Sequence, residues 1–190
     1  MAGGGLGQFS RETRNRLTGM LHSVLGCFLS LLAIGFLTRH FFPENEQLLL
    51  MAAFGSSAIL IFTAPELITA QPWPAVMGHM IAAAVGVFVR ETLVLPYFMV
   101  LALTVSLSLM LMLLSASFHP PAGGTGIVAL SCDGYLASLG YWLALFPMAA
   151  GMLLLVLMAV LYLNLAAGRQ YPIRRSYRWL KVEKKKSGDI

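Results

Sequence analysis

A chain of 190 residues in which 58% are hydrophobic and only 11% charged cannot cover itself with a water-facing surface, since a soluble domain spends about a quarter of its residues on charge. The composition excludes a soluble globular domain and fits one compact bundle of membrane-crossing helices. The net charge of +5 is a matter of placement, because the 13 Lys and Arg crowd the two ends of the chain.

Residues 1–16 are glycine-rich and then basic (Arg11, Arg14, Arg16), a loose or interfacial lead-in. The first apolar run, about 17–38, is too long for a signal h-region and has no A-x-A cleavage pattern, so it is expected to be a retained helix. Arg39-His40 end it, and "FFPENEQ" (41–47) makes a short acidic loop. A second helix is predicted over about 47–63, stopping at "TAPELITAQPWP". The third begins at Pro74, where a missing N–H costs nothing, and runs to about Val89, with Arg90 and Glu91 at the far surface. The fourth covers about 93–116. "SFHPPAGG" (117–124) then interrupts the apolar run. A short stretch, 121–132, a turn at Asp133-Gly134 and a last helix over about 140–166 follow. Residues 167–190 form a basic tail holding eight of the cations, from Arg169 onward.

Only Arg39 and Arg90 lie between the basic ends. The positive-inside rule therefore puts both termini on the cytoplasmic side of a bacterial inner or organellar membrane, which requires an even number of crossings. Residues 121–132 make roughly 18 Å of helix against about 30 Å of hydrocarbon. The expectation is an all-α integral membrane fold of about six transmembrane helices, the fifth short and entered through a recessed break. Five crossings with a re-entrant loop is the alternative. The hairpins "AQPWPAVMGH" (70–79) and "SFHPPAGGTG" (117–126) align loosely, as a parallel internal repeat about the membrane normal or by chance.

The chemistry centres on these two breaks. A helix starting at Pro120 or Pro121 leaves the N–H groups of Ala122, Gly123, Gly124 and Thr125 without helical acceptors, at the positive end of the helix dipole, where a small anion is held. Ser117 and His119 are added donors. The second break leaves donors at Ala75, Val76 and Met77 behind Pro72 and Pro74, with Thr69 and Gln71 nearby. Kinked turns satisfied by protein groups are the plainer reading of both. Intramembrane ionisable residues are functional candidates, which selects His79 to line a path. His22 is expected to snorkel or bond between helices. Glu66 faces the cytoplasm, pairs with a basic tail residue or, with His79, belongs to a proton-linked gate. Gly78, Ala82 and Gly86 form a small-residue seam, within one protomer or between two. Ser56 and Ser57 either pack closely or line a pathway.

Cys27 and Cys132 are packing residues, as are most of the 11 methionines. No metal site, cofactor or catalytic motif is expected, and so no enzyme. The tail residues Tyr171, Tyr177 and Trp179 are read as interfacial anchors on anionic lipids, and nucleic acid is not expected as a partner.

"FGSSAILIFTAPELITAQPWPAVMGHMIAAAVGV" (54–87) and "HPPAGGTGIVAL" (119–130) resemble the two conserved blocks of the HPP family of integral membrane proteins, named for the motif His119-Pro120-Pro121. The likeness covers roughly 48–165. It implies transport, since plant plastid and cyanobacterial members are associated with nitrite movement. Some relatives add a regulatory CBS region after the membrane part, for which this chain is expected to have no room. The resulting expectation is a carrier or channel for a small inorganic anion, nitrite first. His119, Gly123, Gly124, Thr125, Gln71, His79 and Ser117 would bind it, and Pro120, Pro121, Pro72 and Pro74 would hold the breaks. A homo-oligomer is plausible. A neutral-solute pore and a non-transporting membrane scaffold are the alternatives.

Overall fold

A computed structural model describes residues 4–173, with side chains from Thr13 onward. The helices are α1 (Gly4–Thr38), α2 (Glu44–Thr63), α3 (Pro72–Thr92), α4 (Tyr97–Leu114), α5 (Ala122–Ser131), α6 (Gly134–Ser138) and α7 (Ala150–Leu165). Five segments have the length and hydropathy to cross a membrane: Thr13–Thr38, Glu44–Thr63, Pro72–Thr92, Tyr97–Leu114 and Ala144–Leu165. The 10 residues of α5, about 15 Å of helix, complete the bundle.

Several boundaries differ from those read in the sequence. Residues 4–16 continue α1 as helix, which corrects the loose form of the lead-in and leaves the interfacial one. Glu44 and Glu46 join the first turn of α2, where carboxylates complement the dipole. Residues 93–96 precede α4 as extended chain, because Pro96 disfavours helical backbone at Leu95. α4 closes with the N–H of Ser117 on the Met112 carbonyl and that of Ala116 on Leu113. Ala116 there adopts a φ of 53°, the left-handed cap that usually selects glycine. The predicted last helix is split: Phe146 leaves helical geometry (φ −135°, ψ 121°) just before Pro147, which has no N–H to continue the ladder.

α3 and α5 form the centre, side by side and running the same way. A Cβ on Gly78 would meet His119 Cβ at 2.9 Å and Ala122 Cβ at 3.4 Å, and one on Gly86 would meet Ala129 Cβ at 2.7 Å. Ala82 between them is fully buried. The small-residue seam therefore works inside the protomer, letting two backbones approach closely. At the far end, Arg90 donates to the carbonyls of Ala129 (3.0 Å) and Ala137 (3.2 Å) and to Cys132 Sγ (3.1 Å). Its charge thus sits on the last turn of α5, where the dipole is negative. This shared far end shows that α5, though short, carries the chain from the break to the side where α3 ends.

α4 runs against α5, with Tyr97 Oη 2.8 Å from Ser131 Oγ and Thr104 and Ser108 against Gly126. α2 packs beside α7 through Phe54, whose ring fills the space at Gly151. α1 lies outside α2 and α7. His22 Nδ1 meets Tyr162 Oη at 3.2 Å and Ser23 donates to the Phe62 carbonyl at 2.7 Å. Both α1 and α4 leave most of their apolar surface exposed, as lipid-facing helices do.

Candidate functional site

His79 lies on the second turn of α3, and that turn is held against α5 by the glycine seam. His119 sits in the break that Ala116, Pro120 and Pro121 keep out of helical continuity. Ser57 occupies the buried face of α2, one turn beyond Phe54, and the two rings Phe54 and His79 lie 5.9 Å apart between centroids. Thr125 belongs to the first turn of α5. These four polar side chains are all fully buried, and they are joined. Ser57 Oγ is 2.8 Å from His79 Nε2 and 2.8 Å from His119 Nε2. His119 Nδ1 lies 2.6 Å from the Thr69 carbonyl, and Thr125 Oγ1 lies 2.6 Å from His79 Nδ1.

Valence gives this chain a direction when both rings are neutral. A carbonyl only accepts, so His119 carries its hydrogen on Nδ1 and accepts at Nε2. Ser57 has one hydrogen and must spend it on that Nε2. His79 must then donate from Nε2 to Ser57, which leaves its Nδ1 to accept from the Thr125 hydroxyl. Every hydrogen points the same way, from Thr125 through His79, Ser57 and His119 to the Thr69 carbonyl. No donor or acceptor of the two rings is left over, which is the condition for a buried polar network to be tolerated in an apolar bundle.

Other expected site residues fall elsewhere. Three of the four backbone donors expected here are occupied: the N–H groups of Ala122, Gly123 and Gly124 donate to the carbonyls of His119, Pro120 and Pro121 at 3.0–3.1 Å. The first turn of α5 is thus tightened by bonds three residues apart, which leaves Ala122, Gly123 and Gly124 no free N–H for an anion, and Gly124 is exposed with open space beside it. Thr125 takes part in the imidazole chain through its hydroxyl. At the other break α3 opens at Pro72, not Pro74, and the Ala75 N–H donates to the Gln71 carbonyl. Two prolines in one turn remove two of the donors, and Ala75, Val76 and Met77 lie inside the helix ladder. The expectation of bare donors at the two breaks is corrected at Ala75, Ala122, Gly123 and Gly124.

Gln71 is buried but committed. Its Nε2 donates to the carbonyls of Pro65 (2.7 Å) and Leu67 (2.9 Å), and its Oε1 accepts the Ile173 N–H (3.0 Å). Ser117 pairs with Ser115 at 2.7 Å and is not one of the groups bonded to the imidazoles. Glu66 is exposed and ion-paired with Arg169 at 3.2 Å, the basic-tail pairing among its sequence readings, and it is not one of the groups bonded to the rings.

Two residues carry roles the sequence did not suggest. Glu46, read as part of an acidic loop, is buried and caps α6: its Oε1 accepts the N–H groups of Tyr135 (2.6 Å) and Leu136 (3.1 Å), while Oε2 has no hydrogen-bond partner. Tyr171, read as an interfacial anchor, is buried, and its hydroxyl donates to the Ala70 carbonyl at 2.8 Å. Burial pushes that phenol above its usual range. Tyr177 and Trp179 lie outside the described residues. Among the described residues no group of three or more His, Cys, Asp and Glu could hold a metal ion.

Two transmembrane proteins of Dictyostelium discoideum are similar to this chain. One is 34% identical over 154 residues, covering 80% of this chain and 49% of its own length; the other is 32% identical over 158 residues, covering 82% and 54%. The chain spans about half the length of these curated relatives. No solved structure matches it. A family profile described as "HPP, transmembrane region" matches residues 12–172, which takes in every helix that builds the buried imidazole chain. By that match and by its apolar helices, the protein is an integral membrane member of the HPP family.

Proposed function

We propose that this protein carries a small inorganic anion across its membrane, with nitrite as the first candidate and both termini on the cytoplasmic side. One observation supports the anion over a cation. The two ionisable groups at the bundle centre are imidazoles, and among the described residues no carboxylate is bonded to either. The site therefore has neutral and positive charge states only, and a positive centre in a low-dielectric bundle is relieved by an anion. Full burial of both rings favours a carrier seen in a closed state over an open channel.

The closure of both breaks also favours a second reading, a non-transporting scaffold whose polar chain only fixes helix register. Nitrite uptake into proteoliposomes separates the two. Controls are protein-free vesicles and a neutral-to-alkaline buffer, since protonated nitrite crosses lipid unaided. The carrier predicts protein-dependent, saturable uptake, competed by nitrate more than by uncharged solutes and lost in His119→Ala. Well-folded protein that moves nothing under imposed pH and voltage gradients leaves the scaffold.

A further inference from the structure

We infer that the Thr125–His79–Ser57–His119 chain is a proton-loading site with two hydrogen-bond orders that differ by one proton, so that one proton accompanies each anion. The coupling rests on the transport reading; the proton store stands without it.

The argument begins with Ser57. A single hydroxyl bridges two imidazole nitrogens at 2.8 Å each, and with one hydrogen it can donate to only one of them. In the neutral order it donates to His119. A proton arriving on Thr125 Oγ1 lets the original Thr125 hydrogen pass to His79 Nδ1. The Nε2 hydrogen of His79 passes to Ser57 Oγ, and the Ser57 hydrogen passes to His119 Nε2. The balance is one proton gained. His119 now holds hydrogens on both nitrogens, His79 is neutral again with its hydrogen moved from Nε2 to Nδ1, and Ser57 has turned its hydroxyl towards His79. All four contacts still pair a donor with an acceptor, provided the Thr125 hydroxyl turns to a carbonyl of its own helical turn.

The surroundings favour storage at His119. The Thr69 carbonyl accepts from its Nδ1 in both orders, and a hydrogen bond from a charged donor is about twice as strong as a neutral one. What faces the two rings is Ser57 and the Phe54 ring from α2, Thr125 from α5, and the Thr69 carbonyl from the hairpin. The other titratable group facing each ring is its fellow imidazole, with centroids 5.4 Å apart. No Asp, Glu, Lys or Arg among the described residues is bonded to either ring. Two rings this close in a low dielectric resist holding two protons, which limits the store to one. A singly charged site plus a monovalent anion is neutral, so the loaded carrier crosses without net charge.

The test reads the hydrogens directly. The protein, with His22→Gln and His40→Gln to leave two imidazoles, is labelled with nitrogen-15 on histidine and studied by solid-state NMR in lipid. At neutral pH the expected spectrum shows His79 as the Nε2–H tautomer and His119 as the Nδ1–H tautomer. On acidification one proton is taken up per protein, His119 becomes imidazolium, and His79 switches to Nδ1–H in the same step. Ser57→Ala, which keeps both rings, is expected to titrate without the His79 switch; if that variant does not fold, the wild-type titration still decides. Matching tautomers at neutral pH, or independent titration of the rings, overturns the inference. Proteoliposomes with an entrapped pH dye then test coupling: one proton per nitrite with no current is expected. Nitrite uptake without proton entry or tautomer switch sinks the proton store and keeps the carrier. A tautomer switch without uptake keeps the store and sinks the carrier.

Discussion

Thr125 closes the imidazole chain at one end, and its contribution is separable from its packing. Its hydroxyl lies 2.6 Å from His79 Nδ1, and valine fills the same volume without the donor. Thr125→Val leaves an imidazole nitrogen buried and unpaired, a loss of about 1–3 kcal/mol, whereas Thr125→Ser keeps the donor and costs less. Thermal unfolding in detergent should place the valine variant clearly below the serine variant; equal midpoints would mean that the hydroxyl points elsewhere. The sequence makes His79 and His119 visible, because an ionisable ring in an apolar run is rare and demands a partner. It does not make the partners visible. Ser57 sits in a small-residue stretch where close packing explains it equally well, and the Thr69 acceptor is a backbone carbonyl with no sequence mark. Gln71 misled for the opposite reason: its amide is consumed by the carbonyls of its own hairpin, which only the folded turn reveals.

At the scale of the helices, the α3–α5 contact decides whether those residues meet. Gly86 has no room for a side chain, since a Cβ would lie 2.7 Å from Ala129 Cβ and 3.0 Å from the Leu130 nitrogen. Gly86→Ala must push two backbones apart, an overpacking cost of about 1–3 kcal/mol, and the shift propagates down the seam to Gly78 and His119. Gly124→Ala meets nothing within 4 Å and should leave both stability and uptake near wild type, even though the free donors expected at this helix start mark Gly124 as a binding residue. A loss of uptake in Gly124→Ala with unchanged unfolding would restore the backbone-cradle reading. The spanning helices and the short fifth were legible from run length and hydropathy. Their ends were not, because proline acts on its neighbours. Pro72 could open α3 as well as Pro74, Pro96 delays α4, and Pro147 breaks a run whose composition alone looks uniformly helical.

At the scale of the whole molecule, the described part of the tail, up to residue 173, is fastened to the break end of the bundle. After α7 the chain turns back, and Asn164 clasps both the N–H and the carbonyl of Tyr171. Tyr171 bonds the Ala70 carbonyl, Ile173 bonds Gln71, and Arg169 pairs with Glu66. The last three contacts fasten the tail to the 64–71 hairpin, which also supplies the Thr69 carbonyl to His119. On the carrier reading, release of that clasp is the step expected to open this end towards His119. The phenol of Tyr171 is the part with a usable sign. Burial raises its folded value, so its contribution to the clasp is complete below the ordinary tyrosine value of about 10. It is lost as pH climbs through the raised folded value, where the hydroxyl gives up the hydrogen it donates. Thiol labelling of Ser117→Cys, a buried position in the break, reports the opening on a Cys27→Ser, Cys132→Ser background. Against a free-thiol standard that corrects for reagent chemistry, labelling should accelerate only in strongly alkaline buffer. Tyr171→Phe should label several-fold faster already at neutral pH and lose the alkaline step. If the phenylalanine variant labels at the parental rate, the tail is ballast at this end, and opening must come from α5 moving against α3.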